Sequence, residues 1–216
     1  MKIIKILNNN KIITVTGPPG TSKTFVACYA AIQAFLAGKC KTIVLSKPTE
    51  ILSGTKDPGA LPGSLDEKMA VYAESFFDAF DEILSRKDFK HLWDEKIIQF
   101  KPAQFLRGRT IKDSFIIIDE FQNFATDSFA DIFSEARKYG LALIIAHQYI
   151  NQVSTHLMDA IMGNIGNMAV FHIGSTDAKM LAPNIDTTLT PQTLVEQPLY
   201  NFTVKTTHNG QKKVTH

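Results

Sequence analysis

The chain offers little net charge of either sign: 23 Lys and Arg stand against 21 Asp and Glu, leaving +2 over 216 residues. Any basic footprint for nucleic acid must therefore be local rather than spread over the surface. Cysteine is equally scarce. Cys28 and Cys40 are the whole supply and show no metal-ligand spacing, so reduced thiols in a cytoplasmic protein are the expected state. No run approaches the ~20 apolar residues of a membrane span. The start, MKIIKILNNN, carries a lysine inside its short apolar run and has no small-residue cleavage site, unlike a secretory signal. Repeats and low-complexity tracts are also missing. What remains, 44% hydrophobic and 20% charged, is the composition of one compact domain over 1–216, with a lead-in at 1–10 and an extension at 185–216.

Strand and helix patterns alternate along that domain. Ile12 to Thr16 reads as a strand, and the helix that follows runs to about Ala37 and stops at Gly38. Thr42 to Ser46, Ser114 to Ile118 and Leu141 to Ala146 are apolar between turn signals, the pattern of strands buried on both faces. Ile97 to Phe100 and Ala169 to Ile173 are further strands. Helical periodicity returns at Asp66 to Leu84, with Phe76, Phe77 and Phe80 directed at the core, then at Asp127 to Tyr139, His156 to Met162 and Thr176 to Leu181. Residues 53–64 form a long irregular loop, and the Asn209-Gly210 turn joins Tyr200 to Lys205 with Gln211 to Val214 in a terminal hairpin. The alternation predicts a mainly parallel α/β sheet covered by helices on both faces, three layers in all.

Chemistry enters at Gly17-Pro18-Pro19-Gly20-Thr21-Ser22-Lys23-Thr24, between the first strand and its helix. This is the Walker A pattern GxxxxGK[ST] with serine in place of its second glycine. Backbone N–H groups of such a loop, with the positive end of the helix behind them, cradle a β-phosphate. Lys23 is expected to reach the β- and γ-phosphates of ATP, and the Thr24 hydroxyl to ligate Mg²⁺. Ser22 is costly only where its φ is positive, by about 1 kcal/mol.

The second half of the site is Asp119-Glu120, directly after the apolar strand Phe115 to Ile118. A carboxylate at the carboxyl end of a buried parallel strand needs a cation. Asp119 is expected to hold Mg²⁺, and Glu120 to polarise the water that attacks the γ-phosphate. A glutamate in that position resembles the RecA-like branch of P-loop ATPases, in which another strand lies between the two motifs. Leu141 to Ala146 is the candidate, and it would bring His147 and Gln148 to the γ-phosphate, with Gln148 as sensor or solvated strand end.

Residues from about 12 to 123 resemble the PhoH family of ATPases. Besides the two motifs, the resemblance rests on Leu61-Pro62-Gly63, Leu65, Glu67 and Lys68, the run Phe105 to Thr110, and Asp113 to Glu120 followed by Gln122-Asn123. Ser22 departs from that family's loop glycine, and Lys47 stands where the family has arginine before Pro48. Residues from about 119 to 183 are similar instead to HerA-like DNA-pumping ATPases, especially the coupling ATPases of conjugation, through Gln148 and the Gly163 to Gly166 segment. The resemblances imply an Mg²⁺-dependent ATPase that works on RNA or DNA. The tail adds the alternative of a hexameric DNA-translocating homo-oligomer, and Ser22 that of a binding module without turnover. Arg107 and Arg109 are expected either as an arginine finger toward a neighbouring subunit, as nucleic-acid contacts, or as surface cations.

Overall fold

The computed structural model describes residues 12–47, 65–102, 106, 113–121, 142–147, 153–165, 167–208 and 211–215. The lead-in at 1–10, the loop at 53–64, Arg107, Arg109, the helix expected over 127–139, Gln148 and the Asn209-Gly210 turn lie outside them. The strands are β1 (Ile12–Thr16), β2 (Thr42–Ser46), β3 (Ile98–Phe100), β4 (Ser114–Ile118), β5 (Ala142–His147), β6 (Asn167–Phe171), β7 (Phe202–His208) and β8 (Gln211–Thr215). The helices are α1 (Lys23–Leu36), α2 (Leu65–Asp81), α3 (Arg86–Asp94), α4 (Thr155–Asn164), α5 (Ser175–Ile185) and α6 (Pro191–Val195).

The eight strands form one sheet in the order β3-β2-β4-β5-β1-β6-β7-β8. From β3 to β6 every pairing is parallel, and β7 and β8 then join antiparallel. Both faces of the sheet are packed, because successive residues of a strand face opposite sides. Ile43, Leu45, Phe115, Ile117 and Ile144 pack in one cluster with α1, Phe76 and Phe80. Their neighbours Val44, Ile116, Ile118, Leu143 and Ile145 pack on the other face with Leu157 and Ile161 of α4. Each of these buried side chains contributes about 1.5–3 kcal/mol relative to exposure, so a run such as Phe115 to Ile118 is stable only between two helical layers. The three-layer fold expected from the sequence is present.

Local differences have local causes. The helix expected to reach Leu84 stops at Asp81, and a second helix, α3, begins after Ser85. The Ser85 hydroxyl accepts from the Asp88 N–H at 3.1 Å, an N-cap. Phe89 and Trp93 of α3 then close on Phe77 of α2, with ring centroids 5.4 and 5.0 Å apart. Strand β6 begins two residues earlier than expected, at Asn167. Helix α5 continues past Leu181 to Ile185 with Pro183 in its last turn, and α6, with proline in its first turn, was not expected.

Candidate functional site

In a doubly covered parallel sheet, ligands bind at the carboxyl ends of the strands, and the described residues of the two motifs converge there. Gly17 follows β1, Lys47 follows β2 and Asp119 follows β4. Strand β5 pairs with β1 on one side and β4 on the other, so one strand separates the two motifs, as expected. In that register His147 stands opposite Thr16, the last residue before the loop.

The loop is held by its own bonds. Thr21 donates its hydroxyl to the Pro18 carbonyl at 2.8 Å, and the Lys23 ammonium donates to the same carbonyl at 2.7 Å and to the Thr21 hydroxyl at 3.4 Å. Gly17 is required by space: a Cβ there would lie 2.7 Å from Cβ of Phe171 on β6. Gly20 is required by conformation, at φ +76°. Pro19 and Gly20 are exposed. Ser22 sits just before α1 at φ 60°, ψ 26°, the left-handed region, with no capping bond from its side chain. The cost anticipated for a positive φ is therefore incurred, about 1 kcal/mol relative to a relaxed backbone.

Thr24 joins the two motifs. Its hydroxyl donates to Oδ2 of Asp119 at 2.8 Å, across 95 residues of sequence. Asp119 is 6% exposed, and its other carboxylate oxygen accepts the Glu120 N–H at 3.0 Å. Burial pushes the Asp119 carboxyl above its ordinary value; the Thr24 hydroxyl, the Lys47 charge and the Glu120 N–H pull it back, and the Glu120 charge adds to the rise. Lys23, 7% exposed, shows the mirror effect. Burial lowers its affinity for the proton, opposed by the charges of Asp119 and Glu120.

Two residues had no role in the sequence reading. Lys47 stands in the sequence only as a departure from the family pattern, yet its ammonium lies 3.0 Å from Oε1 of Glu120. Ser75, on α2, has a buried hydroxyl with no hydrogen-bond partner among the described residues, a state that costs about 1–3 kcal/mol unless something fills it. Lys47, Ser75, Asp119 and Glu120 line one cavity of about 360 Å³ with residues Pro19 to Thr24. No spacing rule links position 47 to position 120; the signal available was that each stands within two residues of the carboxyl end of a buried parallel strand. Where Arg107, Arg109 and Gln148 stand relative to this cavity lies outside the described residues.

A glycine-rich loop between strand and helix, a strand-end carboxylate bonded to it, and one strand between them define a P-loop NTPase fold of the RecA-like type. The solved structures agree on the fold. The genome packaging NTPase of Sulfolobus turreted icosahedral virus 2, in complex with ATP-gammaS, superposes with a TM-score of 0.58 at 13% identity, covering 97% of this chain and 98% of that one. VirB4 of Thermoanaerobacter pseudethanolicus does so with 0.56 at 10% identity, covering 96% and 89%. Within that class the chain belongs to the PhoH-like protein family, whose profile matches residues 1–135. A PhoH-like protein of Bacillus subtilis is 32% identical over 142 residues, 66% of this chain and 44% of the relative. The chain thus spans less than half the length of that relative. A second profile, the TraM recognition site of TraD and TraG, matches residues 114–185, so the change of resemblance read near the Asp119-Glu120 pair has a counterpart in the family profiles.

Proposed function

We propose that the chain binds ATP with Mg²⁺ and hydrolyses it, coupling turnover to work on RNA or DNA. The observation that carries this reading is the Thr24–Asp119 bond, which puts a hydroxyl and a carboxylate 2.8 Å apart at the mouth of a glycine-rich loop. Two hard oxygen donors at that spacing suit Mg²⁺, which is held through one or two protein ligands together with substrate phosphates. Bound there, Mg²⁺ would neutralise charge on the β- and γ-phosphates. Burial raises the proton affinity of Asp119, and a cation bound beside it would favour its ionised form.

The chain's own residues supply the rest. Gly17, Pro18, Pro19, Gly20, Thr21 and Ser22 frame the loop whose N–H groups receive the phosphates, with the start of α1 behind them. Lys23, desolvated and already pointed at the loop's centre, exchanges the Pro18 carbonyl for phosphate oxygens. Glu120 accepts the proton of the attacking water. Gln148, following β5, orients that water or senses the γ-phosphate, and Arg107 and Arg109 serve as arginine finger or nucleic-acid contacts.

Support for a nucleic-acid substrate comes from the relatives' printed roles: one structural neighbour packages a genome. The match of residues 114–185 to TraD and TraG favours a second reading, a hexameric DNA motor. Phosphate release is to be measured alone, with RNA, and with single- and double-stranded DNA. Lys23→Ala is expected to lower it by about 10²–10³ and Glu120→Gln by about 10²–10⁴ with ATP still bound. Wild-type turnover no higher than that of Lys23→Ala in every arm overturns hydrolysis; ATP binding without turnover leaves a nucleotide-dependent switch. Hexamers by light scattering with nucleotide and DNA select the motor.

A further inference from the structure

We infer that Lys47 is the cation that reads the γ-phosphate: in the structure it holds Glu120, and a bound triphosphate draws it away and releases the carboxylate for water activation. The inference rests on the proposed nucleotide binding and extends it to a residue outside both motifs.

Among the described residues, four ionisable groups line the cavity, Lys23 and Lys47 against Asp119 and Glu120. Lys23 is committed to the loop, where its ammonium bonds the Pro18 carbonyl. Lys47 is committed to the other end, 3.0 Å from Oε1 of Glu120, with the two side chains 22% and 33% exposed. A partly solvated pair of that kind holds weakly. A γ-phosphate entering beside it carries about two negative charges against one on the carboxylate, and charge-assisted bonds to phosphate are strong. The ammonium, on a flexible four-carbon stem, changes partner without backbone movement.

Glu120 is built to respond only through its side chain. Its backbone is fixed at φ 51° with its N–H bonded to Asp119, so a change of partner at the carboxylate, where Lys47 sits 3.0 Å away, is a side-chain movement. A diphosphate lacks the group that would compete for Lys47 and leaves Glu120 restrained.

The test compares binding of AMPPNP and of ADP, both with Mg²⁺, by calorimetry on the full chain. Lys47→Met is expected to lower the ratio of AMPPNP to ADP affinity about tenfold, the scale of one charge-assisted bond. Lys47→Arg, which keeps the charge, is expected to retain the ratio within about threefold. Glu120→Gln frees Lys47 in advance, so it should raise the ratio about threefold or more, and this gain should vanish when combined with Lys47→Met. A ratio unchanged by Lys47→Met, or a Glu120→Gln gain that persists without Lys47, overturns the inference while leaving nucleotide binding intact. Failure of the wild type to bind either nucleotide overturns both.

Discussion

The loop and the end of β4 face each other across the cavity, and each holds one non-glycine residue in the left-handed region: Ser22 at φ 60° and Glu120 at φ 51°. The backbone penalty is similar, and the side chains are opposites. Ser22 is exposed and makes no capping bond. Glu120 gives its N–H to Asp119 and its carboxylate to Lys47. Strain at a site is therefore no sign of a working residue by itself; the bonds that a strained residue holds distinguish the two. Ser22 occupies a glycine position at a small cost, whereas Glu120 is kept strained by partners on two sides.

The comparison breaks hardest under matched glycine substitutions. Glu120→Gly relieves its backbone as Ser22→Gly does, yet is expected to lower kcat by about 10²–10⁴ because the proposed proton acceptor is gone, with melting temperature nearly unchanged. Steady-state ATPase kinetics beside thermal melts check both halves; retained turnover in Glu120→Gly would make the two positions equivalent. A smaller effect concerns Asp119, on the Glu120 side only. Its folded-state proton affinity lies above the ordinary value, so the ionised form costs stability at neutral pH, and this cost fades as pH falls through the raised value. Asp119→Asn is expected to stabilise the nucleotide-free protein by about 1 kcal/mol at pH 7, roughly 2–4 °C in Tm for a chain of this size. The gain should shrink toward acid pH; a gain that grows there would reverse the assigned cause. The smallest effect belongs to Ser22→Gly. Relief of the left-handed penalty, offset by glycine's greater unfolded freedom, leaves about 0.5 kcal/mol of stabilisation with turnover unchanged or higher, read from melts and initial rates. A loss of stability would show that Ser22 holds a bond after all.

Much of this arrangement is legible before any coordinates. Continuous apolar runs such as Phe115 to Ile118 specify strands buried on both faces, and the position of the loop between β1 and α1 follows from one strand, one glycine-rich turn and one helix. The insertion of β5 between the motifs could be anticipated because Glu120 follows Asp119. Less legible were features that depend on distance in the fold. Helix α3 was hidden because its residues are mostly polar, while Phe89 and Trp93 turn inward onto Phe77. Helix α6 is a single short turn after Pro191, below the length at which periodicity speaks. Lys47 and Glu120 meet only because β2 and β4 are neighbours in register, Ser46 opposite Ile118, and strand pairing is not written in either segment alone. Ser75 lies among the aromatics of α2, where the pattern announces core rather than cavity.

Gly17 rests against Phe171, which is 2% exposed and packs on Phe202 at 5.3 Å between ring centroids. The floor of the loop is thus a wall shared with the antiparallel end of the sheet, and the loop's own bonds fix its shape from above. The entropy of ordering the cradle is spent when the chain folds, not when an anion arrives, which is how preorganisation raises affinity without adding a contact. It also makes the C-terminal strands custodians of the loop: loosening Phe202, far along the chain from Gly17, would be felt as weaker anion capture.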